Sequence, residues 1–161
     1  MFKSRVVKTL IDLLARSAEK YTNNPYILEK RTDRYEALTY RDTKEQVFTV
    51  AAGFLALGLK KGDRVALISE SRNDWVITEL GLLHTGAISV PISILLKESF
   101  DLKFRLNHTE SRWIIISSSQ YGKLDSIKHD LKSLEKIILL DPKGSYAPDE
   151  IFIGKVKSLG E

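Results

Sequence analysis

Four unbroken apolar runs constrain this chain more than any other feature: Val65-Ala66-Leu67-Ile68, Ala87-Ile88-Ser89-Val90, Trp113-Ile114-Ile115-Ile116 and Ile137-Ile138-Leu139-Leu140. They do not alternate apolar with polar residues. Unbroken β-branched runs of this length suit strands covered on both faces, as in a parallel sheet. Successive runs begin 22, 26 and 24 residues apart, which leaves room for a loop, a helix of about three turns and a second loop. The order read from the chain is β-α-β-α-β-α-β. It describes an α/β domain with a mainly parallel sheet, helices on both faces and flavodoxin- or Rossmann-like layering.

The segments between the runs carry helical periodicity. Asn73 or Ser71 is placed to cap a helix through Trp75, Val76, Leu80 and Leu83 that stops at Gly86, where a left-handed residue ends a helix cheaply. Lys97 to Asn107 sets Leu96, Phe100 and Phe104 at helical spacing, and Tyr121 to Leu134 sets Leu124, Ile127 and Leu131 on one face. Upstream, Leu10, Leu13, Leu14, Ala18 and Tyr21 predict an amphipathic helix over residues 9–21, ended by Asn23-Asn24-Pro25. Tyr26 to Glu29 and Glu36 to Thr39, joined by Thr32-Asp33-Arg34, read as a small antiparallel hairpin. Thr39 then caps a long helix whose buried face is Val47, Val50, Ala51, Phe54 and Leu55, ending at Gly58. Residues 1–161 are thus expected to form one α/β domain. Its core is residues 9–140, and residues 142–161 supply a loop and one more helix, Asp149 to Leu159.

Composition narrows the function classes. With 43% hydrophobic and 29% charged residues in 161, the chain can bury a core and is neither disordered nor collagen-like. It has no cysteine, which excludes a disulfide scaffold, a thiolate nucleophile and a Cys-ligated metal site. No apolar stretch approaches the ~18 residues of a membrane span, and the basic start, Met1 to Lys8, is not followed by the apolar run of a secretory signal. The expected compartment is the cytoplasm. The net charge of +4 comes from residues 1–61, with 12 basic and 7 acidic side chains. Those charges are interleaved rather than clustered with exposed aromatics, so nucleic acid is not expected as a partner.

A search for chemistry returns structural roles. Gly-x-Gly-x-x-Gly is absent, and Gly122-Lys123 fails as a P-loop because Ser117 stands five positions before Gly122 and Leu124 follows the lysine. Ser117-Ser118-Ser119 follows the third core strand, where hydroxyls and helix N–H groups can meet an anion; the plainer reading is that one serine caps the next helix. His84, His108 and His129 are too far apart for a local metal motif. Gly-x-Ser-x-Gly is also absent. Asp149-Glu150 sit at an expected helix start, where acid complements the dipole. Arg72-Asn73-Asp74-Trp75 occupies a ligand-facing loop position, yet Asn73 as a cap and Trp75 as a packing residue account for it. No catalytic, cofactor-binding or metal residue is assigned.

Read in order, Leu38-Thr39-Tyr40-Arg41-Asp42, then Ala51 through Gly58-Leu59-Lys60-Lys61-Gly62-Asp63-Arg64-Val65-Ala66-Leu67, then Ser71-Arg72-Asn73-Asp74-Trp75-Val76-Ile77, Gly81 through Ile92 and Trp113 to Ser117 form one long ordered string. It resembles the opening of the AMP-forming acyl-CoA synthetases, the adenylating acyl-activating enzymes, over roughly residues 9–140. Asn73-Asp74-Trp75-Val76-Ile77 and Gly86-Ala87-Ile88-Ser89-Val90-Pro91-Ile92 are most similar to the long-chain fatty acid–CoA ligase branch.

The resemblance implies the first subdomain of a larger enzyme. Such an enzyme uses ATP and Mg²⁺ to turn a carboxylic acid into acyl-AMP, and CoA then displaces AMP. It also implies a Ser/Thr/Gly-rich phosphate loop followed by Pro-Lys, and a lysine from a mobile C-terminal domain; neither occurs in these residues. The expectation is therefore an N-terminal fragment that is inactive alone and binds ATP, Mg²⁺ and CoA only weakly. Its partners are the remainder of the synthetase and a fatty acid or other carboxylic acid, and an uncovered apolar face favours self-association. The alternative is a free-standing flavodoxin-like binding or regulatory module without catalysis. A nucleotide-binding oxidoreductase is disfavoured by the missing glycine fingerprint.

Overall fold

The computed structural model describes residues 6–96 and 98–161, so residues 1–5 of the basic start and Lys97, the expected first residue of a helix, lie outside the described residues. Helix α1 (Leu10–Tyr21) starts at Thr9, whose hydroxyl accepts from the Asp12 N–H. Strands β1 (Pro25–Arg31) and β2 (Arg34–Thr39) pair antiparallel as a separate hairpin. Helix α2 (Tyr40–Ala56) opens on a capping box: Thr39 Oγ1 accepts from Asp42 N–H at 3.1 Å, and Asp42 Oδ2 accepts from Thr39 N–H at 3.2 Å. Two backbone donors that helix geometry leaves unpaired are satisfied by one residue pair, an arrangement worth about 1 kcal/mol.

The sheet follows. Strands β3 (Arg64–Ile68), β4 (Ile88–Pro91), β5 (Trp113–Ile116), β6 (Lys136–Leu139) and β7 (Glu150–Phe152) lie parallel in the order β4-β3-β5-β6-β7. Helix α3 (Asn73–Thr85) joins β3 to β4 and ends at Gly86, whose φ of 78° lets the chain turn without a Cβ penalty. Helix α4 (Ser99–His108) joins β4 to β5, the short helix α5 (Ser118–Tyr121) follows β5, and α6 (Ile153–Gly160) follows β7.

Alternation along the strands divides the core in two. Val65, Leu67, Trp113, Ile115 and Ile138 pack with Val47, Val50 and Phe54 of α2, Ile77 and Leu82 of α3 and Val156 of α6. Ala66, Ile68, Ile114, Ile116, Ile137 and Leu139 pack with Leu102 and Leu106 of α4 and with Leu124, Ile127 and Leu131. Both faces are covered, as unbroken apolar strands require. Each fully buried Leu or Ile contributes about 1.5–3 kcal/mol.

Some expectations are corrected. The helix expected over Asp149–Leu159 gives up its first turn to β7, because Ile151 and Phe152 complete the otherwise open edge of β6 opposite Ile138 and Leu139. The expected helix from Tyr121 to Leu134 is instead α5 followed by two 3₁₀ turns, Gly122–Leu124 and Lys128–Asp130. Its apolar residues are buried as expected, since Leu124 and Ile127 stand three apart, the 3₁₀ period. On α4 the inward residues are Leu102 and Leu106, while Phe100 and Phe104 are exposed; both pairs repeat at four, so spacing alone could not choose between them. Leu55 of α2 and Leu10, Leu13 and Tyr21 of α1 also face outward, leaving Leu14 and Ala18 as the buried residues of α1.

Candidate functional site

The chain order of the sheet reverses between β3 and β5, and open α/β sheets bind ligands beyond the carboxyl ends of the strands at such a point. Three loops meet there: residues 69–72 after β3, 117–120 after β5 and 140–142 after β6. Buried β3 and β5 deliver them rigidly, in parallel register from Val65 opposite Trp113 to Ile68 opposite Ile116.

Glu70 is the centre of the first cluster. Its carboxylate accepts from Ser119 Oγ at 2.5 Å and from Gln120 Nε2, and buried Ser117 shares a hydroxyl contact with Ser119 at 3.1 Å. Burial alone would raise the carboxyl; the hydroxyl, backbone and amide donors outweigh it and bring it to about 2. Glu70 is thus a fixed anion near neutral pH rather than a general base poised to take a proton.

Arg72 anchors the second cluster. It donates to Asp141 Oδ1 at 2.7 Å and reaches Asp74 Oδ2 at 3.4 Å, and Lys157 of α6 contacts Asp74 from the other side at 3.2 Å. Asp141 Oδ2 in turn accepts from the Ser118 N–H at 2.8 Å. Burial would raise Asp141, but that N–H and the Arg72 guanidinium hold it below the ordinary carboxylate range. Arg72 itself is the residue preceding α3, and its own side chain does not cap that helix; Asn73 is the first residue, and its N–H is satisfied from the hairpin by Glu29 Oε2 at 2.9 Å. Neither Asn73 nor Ser71 serves as the expected cap.

The serine run is likewise reassigned. No serine side chain caps α5, and the Ser118 N–H that an anion would use is occupied by Asp141. The end of this sheet presents three carboxylates, Glu70, Asp74 and Asp141, and no glycine in residues 69–72, 117–120 or 140–142, and the charges of Arg72 and Asp141 are paired with each other. Beside it a shallow cavity of about 360 Å³ is lined by Ser69, Glu70, Ser71, Trp75 and residues 91–94. Lys123 closes its neighbourhood by donating to the Ile94 carbonyl at 2.6 Å, which gives the lysine of Gly122-Lys123 a structural task.

The remaining candidates are structural. His84 meets the Phe48 ring edge-on at 4.6 Å, His108 stacks on Phe104 at 5.5 Å, and His129 lies in a 3₁₀ turn. Among the described residues no group of His, Asp and Glu is placed to hold a metal ion. Asp63 belongs to an ion-pair chain at the opposite end of the sheet, with Arg112 between it and Glu135. Glu150, expected at a helix start, is a buried strand residue. Lys143 Nζ at 2.5 Å, the Tyr121 hydroxyl and the Ala147 N–H surround its carboxylate, and these outweigh its burial and lower it to about 2. Sequence reasoning missed Glu70 as a centre because its partners Ser119 and Gln120 lie 49 and 50 residues away, and it placed Glu150 at a helix start because the pairing that makes it a strand residue and its Tyr121 partner 29 residues away are tertiary.

Comparison with known proteins bears on what this frame belongs to. The sequence model of the family described as AMP-binding enzyme matches residues 14–158. Long chain acyl-CoA synthetase 8 of Arabidopsis thaliana is 30% identical over 127 residues, 79% of this chain and 17% of the plant protein. A long-chain-fatty-acid–CoA ligase of Escherichia coli is 29% identical over 133 residues, 82% of this chain and 23% of the bacterial one. This chain therefore spans about a fifth of the length of these relatives. The crystal structure of a long-chain-fatty-acid–CoA ligase from Archaeoglobus fulgidus superimposes with a TM-score of 0.80 at 22% identity, over 94% of this chain and 30% of that one. Among the described residues, no helix is long and apolar enough to cross a membrane.

Proposed function

Because the chain belongs to the AMP-binding enzyme family, we propose that it is the N-terminal scaffold of an acid–CoA ligase that activates long-chain fatty acids with ATP and passes the acyl group to CoA. The observation that carries the reading is a family match along nearly the whole chain joined to a carboxyl end whose charged groups are satisfied by one another. Glu70, Arg72 and Asp141 are all paired within the domain. They stiffen the loops that form one wall of a site and leave phosphate handling, Mg²⁺ and CoA binding to residues outside this chain.

On this reading residues 1–161 are one domain, working in the cytoplasm, and the chain alone forms no acyl-adenylate. The same reading gives the outward stripe of α1, Leu10, Leu13 and Tyr21, as an apolar surface that drives self-association when the rest of the ligase is absent. Leu10→Glu with Leu13→Glu should then shift light scattering of the concentrated chain toward the monomer.

The test has two arms. Purified alone, the chain should show no acid-dependent exchange of pyrophosphate into ATP. Residues 14–158, substituted for the matching segment of the Escherichia coli ligase, should support acyl-CoA formation from a long-chain acid that the host protein lacking the segment cannot perform. Exchange by the isolated chain, or a folded but inactive chimera, overturns the reading.

A further inference from the structure

Between β6 and β7 the chain crosses residues 141–148 without helix or strand. Among the described residues, the backbone of residues 142–146 forms no hydrogen bond with another backbone group, so side chains must hold this strap in place. Asp141, at its start, accepts from Arg72 at 2.7 Å and from the Ser118 N–H at 2.8 Å. Lys143, two residues on, ties the strap to β7 through Glu150. Pro142, whose ring fixes φ, stands between the two clamps, and two residues reach at most ~7 Å, so a shift of one clamp moves the other.

The Lys143 ammonium sits in a cage. Its Nζ is 2.5 Å from Glu150 Oε2, 4.8 Å from the centre of the Tyr121 ring and 5.6 Å from that of Tyr146. The strap's own backbone closes the arrangement: Tyr146 Oη accepts from the Lys143 N–H at 2.9 Å, and Glu150 Oε2 accepts from the Ala147 N–H at 2.8 Å. The Glu150 side chain is 1% exposed and that of Lys143 34%, so the anion is fixed in the core and the cation comes to it from the surface. Two ring faces and a desolvated carboxylate all attract the ammonium. Lys128 Nζ stands 3.0 Å from Asp149 and 3.8 Å from Glu150, so Glu150 keeps a cation when Lys143 leaves, and β7 stays in the sheet.

We infer that residues 141–148 form a charge-locked strap: the Lys143 ammonium, caged by Tyr121, Tyr146 and Glu150, holds it shut, and release of that ammonium also withdraws Asp141 from Arg72 and Ser118. Shut, the strap commits the Arg72 guanidinium to Asp141; open, it leaves that guanidinium with Asp74 alone. The lock thereby sets the charge presented at the carboxyl end of the sheet. It is a property of the strap's own contacts and holds whether or not the chain is a ligase scaffold.

Amide hydrogen exchange of the 161-residue chain in low urea, followed residue by residue by NMR, tests it. In the unsubstituted chain the Ser118, Lys143 and Ala147 amides should share one opening free energy and one urea slope, below those of Ala66 and Ile114 in the sheet. Lys143→Met keeps the length of the side chain and removes its charge; it should speed exchange at Ser118 and Ala147 by about tenfold or more and leave Ala66 and Ile114 unchanged. Lys143→Arg keeps the charge and should stay within about threefold of the unsubstituted chain. Separate opening energies for Ser118 and Lys143, or a Met variant as well protected as the Arg variant, would overturn the strap. So would a Met variant that loses protection at Ala66 and Ile114, because a lock on the strap alone leaves the sheet intact. The shared opening is read without any variant. Exchange reads the strap and the chimera reads the ligase frame, so the two proposals fail separately.

Discussion

On one side of the sheet helices approach until backbone meets backbone; on the other, α4 turns two phenylalanines to solvent. A Cβ at Gly53 of α2 would stand 2.0 Å from the Val156 carbonyl oxygen of α6, and one at Gly160 would stand 2.0 Å from the carbonyl of Thr49. No side chain separates the two helices at these points. Across the sheet, Phe100 is 76% and Phe104 60% exposed. The first side is joined by backbone contact between helices, whereas the second is closed by side chains, Leu102, Leu106, Leu124, Ile127 and Leu131 against the sheet.

The comparison can be broken most forcefully at Phe54, fully buried under β5 with its ring 6.3 Å from that of Trp113. Phe54→Ala should cost about 4 kcal/mol in urea denaturation. Next is Gly53→Ala, which forces α6 away from α2 and should cost about 3 kcal/mol, with loss of amide protection in residues 153–160. A smaller effect comes from acid. Glu150 is lowered to about 2 in the folded chain from a reference value of 4.5, so the stability it contributes is complete above pH 4.5 and is lost as the pH falls toward 2. Denaturation at pH 7 and pH 3 should differ, and Glu150→Gln should remove about 2 kcal/mol at pH 7 and flatten that dependence. Phe104→Ala should change stability by less than about 0.5 kcal/mol; a cost near that of Phe54→Ala would abolish the distinction between the sides.

The sequence reading succeeded where period and chemistry agreed. Apolar runs without alternation located four of the five strands of the parallel sheet, and Thr39 marked the start of α2 as its cap. β7 escaped because its three residues become a strand only by filling the edge of β6, a tertiary cause that no window of sequence contains. The orientation of α4 escaped because two residue pairs share one period. For the carboxyl-end loops, Ser117 to Ser119 were legible as a polar run after a strand, but their commitment to Glu70 depends on β3 and β5 being neighbours.

The difference in how tightly the helices pack on the two sides is tested most directly by native-state hydrogen exchange on the 161-residue chain. Amides of α2, α3 and α6 should exchange only through global unfolding, whereas those of α4 and residues 118–131 should open locally at lower free energy. Equal protection on both sides, or earlier opening of α6 than of α4, would contradict the account.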